Sequence, residues 1–161
     1  MTRLASLAAL MIAFALPAHA QDSSQISLVQ NGQSCPGCNL FQADLSYRDL
    51  PNIDLSGARL RQASLALATM NGANFSGADL SIAYMFGGRF TGASFRNANL
   101  ENANLVGVYF GRADLAGARL AGAILSGAEM ERVRGLTQGQ LDGACGDIET
   151  RLPQGLRIPE C

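Results

Sequence analysis

The sequence has no lysine and no tryptophan, and its one histidine, His19, lies close to the start. All twelve cationic side chains are therefore arginine, set against thirteen acids for a net charge of −1. Only 16% of the residues are charged. This balance excludes a polybasic nucleic-acid binder and a polybasic membrane-surface protein, both of which depend on clustered positive charge. The absence of lysine removes any Schiff-base nucleophile. The scarcity of histidine removes the usual general base and the usual nitrogen ligand of zinc or copper. A membrane-spanning run is missing too. The apolar N-terminal run, Leu4 to Leu16, has thirteen residues, whereas a spanning helix needs about 20.

That short run has a different meaning. Arg3 precedes it, Pro17 ends it, and Ala18-His19-Ala20 forms a small-x-small cleavage site before Gln21. These are the parts of a secretory signal peptide over 1–20. A buried amphipathic helix is the competing reading, but the run lacks a polar face. No cysteine follows Ala20 directly, so neither a lipid anchor nor another stable membrane anchor is expected. The expected location is the periplasm or beyond, where disulfides persist. Cleavage removes His19 and leaves a mature chain with neither His nor Lys.

What the chain does have is a period of five. From Leu40 to Met130 every fifth residue is Leu, Met or Phe, nineteen in succession without an insertion. Two residues before each stands a small residue, Ala in all but five slots: Cys38, Arg48, Ile53, Gly88 and Val108. Between the two there is often Asp or Asn, as in Ala43-Asp44-Leu45 and Ala98-Asn99-Leu100. A period of five fits neither a helix nor a flat strand, so the primary reading is an internal repeat.

The pattern A(D/N)LXX resembles the pentapeptide-repeat family, over about 97 of the 161 residues. The resemblance implies an all-β fold, a right-handed quadrilateral β-helix in which four pentapeptides make one coil. Residues n and n+20 then stack, and the centre residue and the one two before it point inward. About five coils at a spacing of about 4.8 Å give a length of roughly 24 Å. In this register Phe75 stacks on Phe95 and Phe90 on Phe110. Three departures from Ala, at Arg48, Gly88 and Val108, fall on one side. Arg48 is expected to reach toward solvent from its nominally inward slot. Glycine is frequent two residues after the centre, where a tight corner favours a residue without Cβ.

The implied domains are a signal peptide over 1–20, an N-terminal cap over 21–34, the β-helix over 35–134 and a C-terminal cap over 135–161. In the first cap the alternation of Ile26 and Leu28 suggests a short strand. In the second, Thr137 and Gln140 suit a capping box and Leu136 and Leu141 a hydrophobic staple, which predicts a short helix near 138–144 lidding the core. The tail from Cys145 to Cys161 reads as irregular. Four cysteines allow three pairings. On the implied rod, Cys35 and Cys38 open one end while Cys145 and Cys161 lie beyond the other. Bridged Cα atoms stand within about 7 Å, so the expected disulfides are Cys35–Cys38 and Cys145–Cys161.

Three functional readings follow. The first is an exported, non-enzymatic module that contacts an unknown protein partner or a second copy of itself. Its candidate patch is Tyr47, Leu67, Tyr84, Phe86, Val106 and Ile124 on one side, with Tyr109 on the next. The second is the activity for which the family is best known, mimicry of DNA by an acidic rod that occupies a topoisomerase. Within 38–134 nine arginines stand against eight acids, a net of +1, and export would remove the chain from such a target. The third is a periplasmic thiol–disulfide protein using Cys35-Pro36-Gly37-Cys38, although a lone CxxC without a βαβ context is weak. Carboxylate pairs such as Asp49/Asp54 and Glu129/Glu131 read as solvated surface. No catalytic residue, metal, cofactor or nucleic-acid partner is expected.

Overall fold

A large apolar residue at every fifth position is buried on one axis only if the chain turns a corner within each five. The computed structural model, which describes residues 21–161, has this form; the signal segment expected at 1–20 lies outside the described residues. All nineteen centre residues from Leu40 to Met130 are at most 5% exposed. Four pentapeptides close one coil. Parallel bridges run from each coil to the next at a spacing of twenty residues, from Asn39–Arg59 through Asp114–Arg134. We number the sides by their first centres: first, Leu40; second, Leu45; third, Leu50; fourth, Leu55.

Each corner is a tight turn. The N–H of the inward small residue returns to the carbonyl of the preceding centre, as in Ala63 N to Leu60 O at 2.9 Å. The residue two after the centre takes positive φ, at glycines such as Gly57 (64°) but also at Leu67 (55°) and Ile82 (58°). Each side is too short for an extended strand, so the coils pair through isolated bridges.

The Asp or Asn before the centre has a role of its own. Its side chain accepts from the backbone N–H two residues on: Asp54 Oδ1 from Ser56 N, Asn74 Oδ1 from Ser76 N, Asp114 Oδ1 from Ala116 N, at 3.0 to 3.1 Å. These Asx turns satisfy corner amides that the coil leaves free. They also stack. Asn74 Nδ2 donates to Asp54 Oδ1 at 3.0 Å, and Asn99 Nδ2 to Asp79 Oδ1 at 3.2 Å.

The phenylalanines interlock across columns. Phe75 and Phe95 stack at 5.0 Å and 9°, while Phe90 meets both of them edge-on at 5.9 and 5.6 Å. The other in-column pair, Phe90 and Phe110, is tilted by 32° at 6.3 Å. Gly88 occupies an Ala slot because of this cluster: a Cβ there would fall 2.6 Å from Phe90 Cε2. Val108, one coil on in the same column, is fully buried. Arg48 is exposed, as its charge requires.

The N-terminal segment corrects the sequence expectation. Residues Ser23–Gln30 form a helix, α1, rather than a strand. Asp22 caps it, accepting from Ser24 N and Gln25 N. Ile26 and Val29, three apart and hence on one helical face, pack onto the core, while Leu28 is exposed. Gln25 Oε1 accepts from Asn39 N at 2.6 Å, and Gln30 Nε2 donates to Asp44 O at 2.9 Å. Helix side chains thus serve the open edge of the first coil, where no earlier coil exists to pair with it.

The C-terminal tail is a second correction. A one-turn helix, α2 (Gln138–Leu141), follows the repeat. Gln140 Oε1 accepts from both Thr137 N and Thr137 Oγ1, at 2.8 and 2.9 Å. Its amide donates to Leu115 O and Ala118 O, both at 2.8 Å. Beyond α2 the tail is not irregular; it resumes the solenoid. Leu141 and Ala144 are buried, with Ala144 N bonded to Leu141 O as at any corner. Cys145 bridges Ile124 and Arg151 bridges Glu129, offsets of twenty-one and twenty-two residues. Glu160 then bridges Gly146 outside that layer.

Candidate interaction surface

The second side and its corners carry most of the exposed large apolar residues; Leu28 and Ile148 lie outside the repeat. Going up it, Asp44, Ser64, Tyr84, Asn104 and Ile124 are joined by successive bridges. Side chains at these positions point out because the inward slots on either side are taken by Ala and the centre. Tyr84 and Phe86, two apart on one strand-like segment, therefore share a face, and their rings stack at 6.2 Å and 11°. Leu67, at a corner of this side, lies over Gly87, so that a methyl there would fall 2.6 Å from Leu67 Cδ2. Leu67, Tyr84, Phe86 and Ile124 are 40% to 46% exposed, and Tyr47 is 77% exposed.

Not every candidate belongs to the patch on equal terms. Val106 is half-buried, one coil above Phe86. Tyr109 is half-buried on the third side, where the Arg89 guanidinium sits 5.2 Å from its ring centroid. That cation–π contact gives Tyr109 a partner of its own. Ile82, exposed at the corner between the first and second sides, extends the surface and was missed. The missed signal was its slot: an apolar residue two after a centre has no inward option.

The cysteines come together in two local pairs. The sulfurs of Cys35 and Cys38 are in bonding contact with their Cα atoms 5.5 Å apart, and those of Cys145 and Cys161 with Cα atoms 4.8 Å apart. Cys35 is buried in the first coil and Cys161 is exposed at the end of the tail. Among the described residues no group of three or more His, Cys, Asp or Glu is placed to hold a metal ion, and no helix is long and apolar enough to cross a membrane.

The carboxylates serve the turns. The backbone N–H of Ser46 holds Asp44 below its ordinary pKa, and that of Ser56 does the same for Asp54. Asp114 is lowered first by the Ala116 N–H and then by Arg96, which bonds it at 3.0 Å. Asp49 is exposed, as are Glu129 and Glu131; Glu131 pairs with Arg151 at 3.6 Å.

The family model described as pentapeptide repeats matches residues 38–77, 49–85 and 93–132, in eight copies. No curated protein matches the chain. Among solved structures, HetL, a pentapeptide repeat protein involved in heterocyst differentiation regulation in the cyanobacterium Nostoc sp. strain PCC 7120, is 36% identical with a TM-score of 0.60. The alignment covers 63% of this chain and 48% of HetL, so the chain spans about half of HetL's length. Rfr23 from the cyanobacterium Cyanothece 51142 is 28% identical over 81% of this chain and 98% of its own, with a TM-score of 0.41. Full-length QnrB1, a plasmid-mediated fluoroquinolone resistance protein, is 17% identical over 80% and 87%, with a TM-score of 0.39. The family model covers more than half of the residues, and four-sided coils with a twenty-residue stacking offset supply the geometry: the chain belongs to the pentapeptide repeat family, whose fold is the right-handed quadrilateral β-helix.

Proposed function

We propose that this protein is an exported, non-enzymatic binding module that docks a protein partner, or a second copy of itself, on the second side of the solenoid. The observation that carries the reading is the stacked pair Tyr84 and Phe86, flanked by Leu67, Val106 and Ile124 on one rigid face. Aromatic anchors on a preformed surface lose little entropy on binding. Contiguous exposed apolar area of this kind is unusual on a monomer. Light scattering and affinity capture from a periplasmic extract test it, comparing the parent with a Phe86→Glu/Val106→Asp variant. The parent self-associates or retains a partner, and the variant loses it. Unchanged mass and unchanged capture would end the proposal.

Export and oxidation belong to the same reading. The mature chain begins at Gln21, and its four cysteines form two structural disulfides, one at each end. Mass spectrometry of the exported protein reads the N-terminus. Thiol titration under denaturing conditions finds no free thiol; two or more would overturn the disulfides as structural. Topoisomerase occupancy by DNA mimicry is disfavoured, because the rod's net charge of +1 cannot imitate a polyanion. Thiol–disulfide exchange at Cys35/Cys38 is disfavoured, because the CxxC forms a turn of the first coil and has no βαβ redox context around it.

A further inference from the structure

Below the last coil, the inter-coil ladder is interrupted at the corner between the third and fourth sides, where residues 92, 112 and 132 stack. From Gly37 to Gly107 the corner residue donates its N–H to the next coil, as in Leu67 N to Phe86 O at 2.8 Å and Asn97 N to Ala116 O at 2.9 Å. Gly92 is the exception. Its N–H makes no such bond, and neither does that of Arg112 above it; neither amide has a partner among the described residues. The cause is in the backbone. At the turn Phe110–Ala113 the positive φ falls on Gly111 (48°) instead of on Arg112. Moving positive φ to the second turn residue flips the central peptide, which turns the Gly111 carbonyl away from Gly92. Gly111 is held there by packing: a Cβ would fall 2.9 Å from Thr91 Cγ2.

The side chains around these two amides are cationic. Arg112, Arg132 and Arg134 line a groove of about 460 Å³ together with Gly92, above which a Cβ would meet nothing within 4 Å. Other arginines nearby have fixed partners. Arg96 bonds Asp114 at 3.0 Å, Arg151 pairs with Glu131 at 3.6 Å and Arg89 covers Tyr109. Two acids near the groove are thereby engaged: Asp114 by Arg96, with Arg134 attracting it from further off, and Glu131 by Arg151. Glu129 and Glu131 line a neighbouring recess with Tyr109 and Gly111, and Arg132 borders both it and the groove. Three arginines thus line one open space beside two amides that have no bond to the next coil.

We propose that this corner binds a tetrahedral oxyanion, a phosphate or sulfate group, between the N–H groups of Gly92 and Arg112 and the guanidinium forks of Arg112, Arg132 and Arg134. Arginine's planar donors match the paired oxygens of such a group, and backbone N–H groups without an internal acceptor supply further donors. This site lies across the rod from the apolar second side and does not depend on it. The test is a ¹⁵N NMR titration of the intact protein with sodium phosphate, with sodium chloride as the reference at equal ionic strength. Saturable shifts of the Gly92 and Arg112 amides are expected with phosphate and not with chloride. The exposed double variant Arg112→Gln/Arg132→Gln weakens binding at least about tenfold, while Arg119→Gln on the first side leaves it unchanged. Equal shifts with chloride, no shift at those two amides, or equal weakening by Arg119→Gln would overturn the site. Sedimentation with phosphatidylglycerol and phosphatidylcholine vesicles separates the sources. Phosphatidylglycerol-specific binding displaced by free phosphate identifies a lipid headgroup as the carrier, and phosphate binding without vesicle binding identifies a soluble ester.

Discussion

At the scale of single residues, the stability of this solenoid rests on which side chain tolerates which slot. The Asx ladder is a clear case. Asn74 donates to Asp54 across a coil at 3.0 Å. Asn74→Asp places a second carboxylate there, and like charges directly opposite across a pair of strands destabilise by about 0.2–1 kcal/mol. Urea unfolding at neutral pH reads that loss, and the deficit closes as pH falls and the pair protonates. The parent has an acid dependence of its own. Asp44, Asp54 and Asp114 are lowered below 3.8 in the fold, so the unfolded chain takes up protons first on acidification. Their contribution is complete above roughly pH 5 and is lost as pH falls through the lowered folded-state values.

Ile82 is a second case. A β-branched residue at φ 58° is strained, and the left-handed region costs most residues roughly 1–2 kcal/mol. Asparagine occupies the same slot at Asn52, Asn97 and Asn102. Ile82→Asn is therefore expected to raise stability by about 0.5–1 kcal/mol, seen as a higher urea midpoint at unchanged slope. A fall in the midpoint would show that Ile82 contributes packing that its exposure hides.

At the scale of elements, the third and fourth columns are coupled by the phenylalanine cluster. Gly88 leaves room for the Phe90 ring, which Phe75 and Phe95 hold edge-on. Gly88→Ala restores the ordinary small residue of the repeat, yet it should destabilise by about 1–3 kcal/mol through overpacking. Combining it with Phe90→Leu should recover part of that loss, because the two changes share a contact. Additive costs in the double variant would show that the ring is not the obstruction. The caps act at the same scale. Gln25 at one end and Gln140 at the other hold edge groups that no coil covers.

At the scale of the whole molecule, every coil contacts only its neighbours, yet the buried core is continuous from Leu40 to Met130. Leu80 is in the middle and fully buried. Leu80→Ala should cost about 2–5 kcal/mol and appear as a single cooperative shift in thermal unfolding, since a cavity there weakens the stack on both sides. A separate low-temperature transition would mean that the two halves melt independently.

Much of this was legible from the chain alone. A strict period of five dictates where the large side chains go, because in a four-sided coil only the centre and the small slot two before it face the axis. Stacking at twenty residues places Tyr84, Phe86 and Ile124 on one side, and the length of the resulting rod keeps the Cys35/Cys38 end away from Cys145 and Cys161. Tertiary contact decided the rest. Residues 23–30 are helical because Asp22 caps them and the core accepts Ile26 and Val29 on one face; alternation over three residues could not weigh that. The tail resumes the coil because Leu141, at the end of α2, and Ala144 drop into inward slots, at offsets that break the period. The missing inter-coil bonds of Gly92 and Arg112 go with positive φ at Gly111, whose position against Thr91 is a contact between coils that no local spacing encodes.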